Sequence, residues 1–109
     1  MFDSKNPDLV TQVADRFRAM GDENRLRILA RLEQAPANVT TLSHELAIKQ
    51  ASASKHLSLL RQAGLVSFDR QGSQVVYRIS DVTVKNLCQL VCQGVLEHVR
   101  QQHAALETK

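Results

Sequence analysis

Apolar residues recur every three or four positions in five stretches of the chain, which is the spacing that gives an α-helix one buried face. The first predicted helix covers residues 8–20, and the second runs from a cap at Asp22 to the residue before Pro36. A short third helix is predicted to start from a cap formed by Thr40 or Thr41. The short lengths and the regular breaks indicate a small helical domain.

A brief polar connection separates the third predicted helix from the fourth, which covers about residues 51–63. Gly64 follows and is expected to end this helix in a left-handed conformation, which glycine adopts without steric cost. Two short helices joined by a tight turn form a helix-turn-helix, predicted here over residues 40–63. In such motifs the second helix enters the major groove of DNA while the first crosses the backbone.

The apolar pattern then changes from helical spacing to alternation. Alternating positions on both sides of Gly72 predict a β-hairpin over residues 66–79. A last helix is predicted over residues 81–102 with Asp81 as its cap, and the polar residues 103–109 are expected to form a loose tail. Four helices, a hairpin and a last helix make a fold that is mainly α with a small β-hairpin, the winged helix-turn-helix.

The composition fits a single domain over residues 1–109 that binds a polyanion. Lys and Arg total 14 against 11 Asp and Glu, which gives a net charge of +3. Gathered on one face and doubled in a dimer, this charge suits nucleic acid, and ordinary surface charge is the alternative. No apolar run approaches the roughly 18 residues of a membrane span, and residues 1–7 lack the apolar core of a signal peptide. Two cysteines are too few for a disulfide framework, so a cytoplasmic protein is predicted.

Four stretches of the chain, taken in their order and spacing, resemble the ArsR/SmtB family of bacterial repressors. They are residues 19–29, 42–46, 49–57 and 60–66, and the resemblance extends over most of the chain. It implies a homodimer that binds an inverted-repeat DNA operator, with the first and last helices forming the dimer interface. Half-sites about one helical turn apart on the DNA are then expected.

The start of the fourth predicted helix carries short or flexible polar side chains. Glutamine can contact adenine through two hydrogen bonds, serine contacts bases or phosphates, and lysine contacts phosphate or guanine. With two residues of the wing added, the candidate DNA-binding residues are Gln50, Ser52, Ser54, Lys55, Ser58, Arg70 and Gln74. The alternatives are a merely solvated helix face and, for Arg70, a charge kept for solubility. His56 matches a family position, and a packed, hydrogen-bonded histidine is the alternative there.

The effector sites that the resemblance implies are incomplete in this sequence. Residues 45–49 contain no thiol, so the arsenite site of the third helix is absent. Thr83 and Gly94 replace two ligands of the zinc site on the last helix, and neither side chain is a competent zinc ligand. Ala30 and Leu96 occupy the places of the redox-sensing cysteine pair. The histidines do not form a zinc or nickel cluster within one chain, and a site shared by the tails of a dimer is the alternative. Asp81 is interpreted as a helix cap.

Cys88 and Cys92 are the remaining candidates for an effector site. Two thiols at positions i and i+4 of one helix face are close enough to bind a soft metal or arsenic(III) together. Lys85, one turn away, would favour the reactive thiolate of Cys88. The alternative is that both cysteines are small apolar residues of the core.

Two further function classes compete with a DNA-binding repressor. One is a winged helix that binds only protein partners, which the basic residues Lys49, Lys55, Arg61 and Arg70 disfavour. The other is an enzyme, which the lack of a glycine-rich phosphate loop and of a recognisable nucleophile disfavours. Gly94 lies inside the last predicted helix, where glycine destabilises the helix relative to alanine. A close crossing of two helices at the dimer axis would explain why glycine occurs there, and a tolerated local weakness is the alternative.

Overall fold

The computed structural model describes residues 3–107 and their side chains through residue 106. Five helices and one antiparallel hairpin occur in the predicted order, which confirms the winged helix-turn-helix. The elements are α1 (Pro7–Met20), α2 (Glu23–Gln34), α3 (Val39–Leu46), α4 (Gln50–Gln62), β1 (Val66–Gln71), β2 (Gln74–Ile79) and α5 (Thr83–Glu107).

Side-chain caps define where the first helices begin. The Asp22 carboxylate accepts a hydrogen bond from the Arg25 amide at 3.1 Å, which confirms the predicted cap of α2. The predicted cap of α3 is wrong, because Asn38 rather than Thr40 or Thr41 caps the helix. The Asn38 Oδ1 accepts from the Thr41 amide at 2.8 Å. Asparagine in extended backbone is at least as good a cap as threonine, so the cap of α3 lies two or three residues earlier than predicted.

Gly64 ends α4 as the sequence predicts. Its φ is +79°, in the left-handed region. The Leu65 amide donates to the Leu60 carbonyl at 3.0 Å, and the Gly64 amide donates to the Arg61 carbonyl at 2.9 Å. These two hydrogen bonds form a Schellman motif, which satisfies carbonyls that the helix end would leave without partners. The chain therefore turns sharply from α4 into β1.

The turn between α3 and α4 has the same motif without a glycine. Ala47 has a φ of +53°, which is uncommon for a residue with a Cβ atom. The Ile48 amide donates to the Ser43 carbonyl at 3.0 Å, and the Ile48 side chain is buried. Burial of Ile48 and this hydrogen bond hold the tight turn that sets α4 relative to α3.

One hydrophobic core joins α2, α3, α4 and the base of the wing. Its fully buried large side chains are Ile28, Leu29, Leu42, Leu57, Leu60, Leu65 and Val84. The hairpin pairs Val66 with Ile79 at its base and Gln71 with Gln74 at its tip. Ala37 exchanges two backbone hydrogen bonds with Tyr77, at 3.0 and 2.8 Å, so the segment before α3 is tied to the wing.

α5 is longer than predicted. It continues to Glu107, so the expected loose tail at 103–109 is wrong for the residues that the structure describes, and the last two lie outside them. Alanine and leucine at positions 104–106 are strong helix formers, which explains the extension. Val84 anchors the start of α5 in the core, with Leu87 and Cys88 packed beside it. Beyond them, apolar side chains of α5 are exposed: Leu90, Val91, Val95, Leu96 and Val99.

The two left-handed turn residues give a matched pair of stability tests. We expect Gly64→Ala to lower the free energy of unfolding by about 1–2 kcal/mol, because the Cβ atom of alanine makes the left-handed conformation sterically unfavourable. Ala47→Gly removes the same steric cost from the folded state. Glycine also raises the entropy of the unfolded chain, which opposes folding, so we expect the net effect to range from neutral to a stabilisation of about 1 kcal/mol. Urea denaturation of both variants measures the two values. Equal destabilisation by both would contradict this explanation of the turns.

Candidate nucleic-acid interface

α4 divides into a buried face and an exposed face. Ala53, Leu57 and Leu60 are fully buried against the core. The structure places all five candidate residues of this helix in solvent, and we call them the recognition face: Gln50, Ser52, Ser54, Lys55 and Ser58. The buried face fixes the helix, so the polar side chains of the recognition face project from a rigid support.

The N-terminus of α4 is open to an anion. Lys49 occupies the cap position, and its side chain makes no capping hydrogen bond. No acidic residue lies in the first turn of α4. The first amide groups of a helix lack partners within it and lie at the positive end of its dipole. This end of α4 is therefore suited to a phosphate oxygen.

Two arginines of α2 hold the helix-turn-helix in place. The Arg27 Nη2 donates to the Leu46 carbonyl, at the end of α3, at 2.7 Å. Arg31 forms an ion pair with Glu45 of α3, and its side chain is only 17% exposed. Sequence reasoning treated these arginines as ordinary polar positions of an amphipathic helix. Their spacing of four residues places both on one face of α2, and this spacing could have predicted that they contact the same neighbouring helix.

A third arginine of α2 connects three helices. The Arg25 Nε donates to the Ala19 carbonyl of α1 at 2.6 Å, and its Nη1 lies 3.3 Å from the His56 Nδ1 of α4. The Asp22 carboxylate lies 4.0 Å from the same imidazole nitrogen. The hydrogen bond from the Arg25 amide, together with the charges of Arg25 and His56, lowers the pKa of Asp22. His56 is thus a packed, hydrogen-bonded residue of α4 on the side that faces Arg25, in agreement with the alternative interpretation.

The wing contributes two exposed candidates next to the helix-turn-helix. Arg70 and Gln74 lie near the hairpin tip, and both are exposed. The Gln74 Oε1 accepts a hydrogen bond from the Asn38 Nδ2 at 3.2 Å. The same Asn38 side chain caps α3, so it links the wing to the first helix of the motif. The hydrophobic pattern does not predict the contact of Asn38 with the wing, because Gln74 lies 36 residues away in sequence.

The base of the wing is stacked on α4 through an aromatic ring. The Arg61 guanidinium lies 4.6 Å from the centre of the Phe68 ring, and Phe68 lies 5.6 Å from Tyr77. The cation–π contact and the ring contact hold β1 and β2 against the last turn of α4. Arg61 therefore packs on the wing base, although the sequence suggested it as part of a basic DNA-facing set.

Asp81 is held by donors from the protein itself. Its Oδ1 accepts from the Thr83 amide at 3.0 Å and from the Thr83 hydroxyl at 2.6 Å, which confirms it as a cap of α5. Its other carboxylate oxygen forms an ion pair with Arg16 of α1. The Thr83 hydroxyl and amide, and then the Arg16 charge, lower the pKa of Asp81. This carboxylate thus ties the start of α5 to α1.

The cysteines of α5 lie in different surroundings. Cys88 is half-buried against the core and Cys92 is exposed. Burial, and then the nearby Glu33 carboxylate, raise the pKa of the Cys88 thiol. The expected activation of Cys88 by Lys85 is therefore wrong, since its surroundings favour the protonated thiol. Within residues 3–106, no three side chains of His, Cys, Asp or Glu are grouped so as to hold a metal ion.

Comparisons with known proteins agree with this geometry. The family model of a helix-turn-helix domain matches residues 20–67, which contain α2, α3, α4 and the start of the wing. The transcriptional repressor SmtB homolog of a Synechocystis species is 31% identical over 90 residues, covering 83% of this chain and 68% of that protein. The chain belongs to the ArsR/SmtB family. The fold and the family are those of DNA-binding transcription regulators rather than enzymes.

Other relatives of this ArsR/SmtB chain carry regulator names as well. The regulator NmtR of Mycobacterium tuberculosis is 38% identical over 76 residues, and the match spans 70% of this chain and 63% of NmtR, just under two thirds of its length. A homodimeric winged helix-turn-helix DNA-binding domain from Mycobacterium bovis superimposes with a TM-score of 0.82 at 30% identity. That superposition covers 92% of this chain and 93% of the other. No helix among the described residues is long and apolar enough to cross a membrane.

The Asp81 contacts predict a pH-dependent contribution to stability. We expect Asp81→Ala to lower the free energy of unfolding by about 1 kcal/mol at pH 7, the usual value of a lost cap. Because the folded-state pKa is lowered, the Asp81 contribution is present above the unfolded pKa of about 3.9 and is lost as pH falls through the folded value. The gap between wild type and variant should therefore narrow below pH ~4.

Thermal denaturation between neutral and acidic pH measures this gap. Asp81→Asn is the matched control, because it keeps a hydrogen-bond acceptor without the charge; we expect it to lie between the other two proteins at pH 7. A gap that stays constant at all pH values would show that the ionised carboxylate contributes nothing.

Proposed function

We propose that this protein is a transcription regulator that binds an inverted-repeat DNA operator as a homodimer. The observation that carries the proposal is the recognition face of α4, which is polar, exposed and rigidly supported beside a wing. The proposal includes a cytoplasmic location, because a regulator that binds DNA must lie in the same compartment as its operator. Relatives are named both as a repressor and as the transcriptional activator HlyU of Vibrio cholerae, and we propose repression here.

The DNA-binding surface combines helix and wing. α4 would enter the major groove, where Gln50 reads adenine and Lys55 contacts phosphate or guanine. The uncapped N-terminus of α4 supports a phosphate contact close to Gln50. Arg70 and Gln74 of the wing would reach the adjacent backbone or minor groove. Ser52, Ser54 and Ser58 supply short hydroxyl groups along the same face.

The dimer would form through α1 and α5. In the single chain, Val95 and Leu96 are 57% and 64% exposed, and Phe17 of α1 is 55% exposed. Apolar side chains exposed along a helix that leaves its own domain indicate a protein interface. A second copy would cover them and place two α4 helices about one turn of DNA apart.

Two substitutions on the recognition face separate affinity from sequence preference. We expect Lys55→Ala to weaken binding to all duplexes and to reduce the slope of log affinity against log salt by about one per protomer. We expect Gln50→Ala to relax base preference at one position of each half-site, at a cost of about 1–3 kcal/mol for the preferred base. Fluorescence anisotropy with an inverted-repeat duplex selected from a random pool measures both effects.

Lys5→Ala is the matched control for lost positive charge, because Lys5 is exposed before α1 and far along the chain from α4. It should leave the affinity for the selected duplex nearly unchanged. If Lys55→Ala and Lys5→Ala bind alike, α4 is not the DNA-binding helix.

The proposed dimer interface is tested by a charge on α5. We expect Val95→Asp to weaken dimerisation by at least ~2 kcal/mol, because two carboxylates would be buried without partners. Operator affinity should fall with it, since a monomer contacts one half-site. Sedimentation velocity measures the oligomer. Gln93→Glu, on the opposite side of the helix, is the control and should remain dimeric. A Val95→Asp protein that stays dimeric would place the interface elsewhere.

A thiol-reactive effector is a second candidate for regulation, because Cys88 and Cys92 line one groove. Cys92 is the better candidate, since it is exposed while burial raises the pKa of Cys88. If a soft metal, arsenic(III) or a mild oxidant acts here, we expect it to release DNA from wild type but not from the Cys88→Ser, Cys92→Ser protein. Anisotropy of the reduced protein on the selected duplex measures the release. Equal release from both proteins would remove the cysteines from regulation.

A further inference from the structure

Both ends of the Asn38 side-chain amide are hydrogen-bonded within the protein. Its Oδ1 accepts from the Thr41 amide at 2.8 Å as the cap of α3, and its Nδ2 donates to the Gln74 Oε1 of the wing at 3.2 Å. A backbone N–H group can only donate, so the cap requires the oxygen of Asn38 on the side of α3 and leaves its nitrogen for the wing. The helix therefore determines the orientation of the Asn38 amide.

The backbone holds Asn38 beside the wing. The preceding residue, Ala37, has a buried side chain and exchanges two backbone hydrogen bonds with Tyr77 of β2. Asn38 is half-buried between this bridge and the first turn of α3, whereas Gln74 is exposed at the start of β2. Asn38 is thus the fixed member of the pair, and the longer side chain of Gln74 adjusts to it.

The contact determines which end of the Gln74 amide is left for other partners. Because the Oε1 accepts from Asn38, the Nε2 remains with two N–H groups, and within residues 3–106 it donates to no protein atom. Both side chains line a cleft of about 380 Å³ between α3 and the wing tip, and none of the described residues that line it is acidic. Three hydroxyl side chains complete its polar lining: Thr40, Thr41 and Ser73. A DNA strand can therefore approach this amide without meeting a negative charge in the cleft.

We propose that Asn38 is a positioning residue of the DNA-binding surface: it orients the Gln74 amide so that the wing presents hydrogen-bond donors and selects acceptor groups on DNA. The inference rests on the proposed DNA binding and adds the kind of group that the wing recognises. DNA offers acceptors as phosphate oxygens and at the minor-groove edge of A·T pairs, which shows acceptors only. A G·C pair adds the guanine N2 amino group there, a donor that Gln74 in this orientation does not accept.

Asn38→Ser breaks the contact with the wing and keeps the cap of α3. Serine caps a helix about as well as asparagine, but its side chain is too short to reach Gln74. We expect unchanged stability in urea and about fivefold weaker binding to the selected inverted-repeat duplex for each wing, the scale of one net hydrogen bond. Fluorescence anisotropy measures the affinity. In the Gln74→Ala protein the same substitution should have no effect, because the residue that Asn38 positions is gone.

Asn6→Ser is the matched control for replacing a capping asparagine. Asn6 caps α1 through the Leu9 amide at 3.1 Å, and among the described residues it makes no hydrogen bond with the wing. Its substitution should leave the affinity for the selected duplex unchanged.

The acceptor on DNA is identified by changing the base pairs beside the major-groove contacts of each half-site, one position at a time, to A·T, I·C or G·C. Inosine lacks the N2 amino group of guanine, so an I·C pair shows only acceptors in the minor groove. If Gln74 donates to a base edge, A·T and I·C duplexes bind alike and G·C duplexes bind more weakly, and Asn38→Ser removes this difference. If Gln74 donates to a phosphate, Asn38→Ser weakens binding to all three duplexes equally.

Three results would overturn the inference. They are an Asn38→Ser protein that binds as tightly as wild type, an effect of Asn38→Ser that persists in the Gln74→Ala protein, and tighter binding of G·C than of I·C, because the Gln74 oxygen would then face the DNA. Wild-type protein that binds no duplex from the pool contradicts the proposed function and this inference with it. Wild-type binding without the effects of Asn38→Ser contradicts this inference alone.

Discussion

The whole recognition surface depends on the burial of one face of α4. Ala53, Leu57 and Leu60 lose all contact with solvent, and this burial fixes both the position and the rotation of the helix. Rotation by half a turn would expose these residues and bury Lys55 without a partner, which is costly for a charged group. The exposed polar face is therefore a consequence of the buried one.

Polar contacts then hold the elements around α4 at fixed places. Arg25 joins the end of α1 to His56 of α4. Arg27 and Arg31 join α2 to the end of α3. The turn at Ala47 and the Schellman motif at Gly64 determine where α4 enters and leaves this frame. Two of these four arginine contacts, from Arg25 to Ala19 and from Arg27 to Leu46, link a guanidinium to a backbone carbonyl at a helix end, which satisfies carbonyls that the helix leaves free.

The hydrophobic pattern was sufficient to predict the order of the elements, because each helix and strand buries one face against a shared core. Asp22 and Gly64 were also predictable, since their roles depend only on neighbouring residues. The cap of α3 depended on a competition between several capable residues, which local rules do not decide. The bonds of Arg27 and Arg31 and the raised pKa of Cys88 arise from residues distant in sequence, so only the folded arrangement defines them.

The central claim is that DNA contacts the recognition face of α4 and the tip of the wing. Hydrogen–deuterium exchange of the full chain, with and without a selected inverted-repeat duplex, tests it most directly. The account predicts slower exchange on DNA binding at residues 50–58 and 70–74, with the amides of α5 beyond Cys92 unchanged by DNA. Slower exchange confined to α1 and α5, with residues 50–58 unaffected, would contradict it.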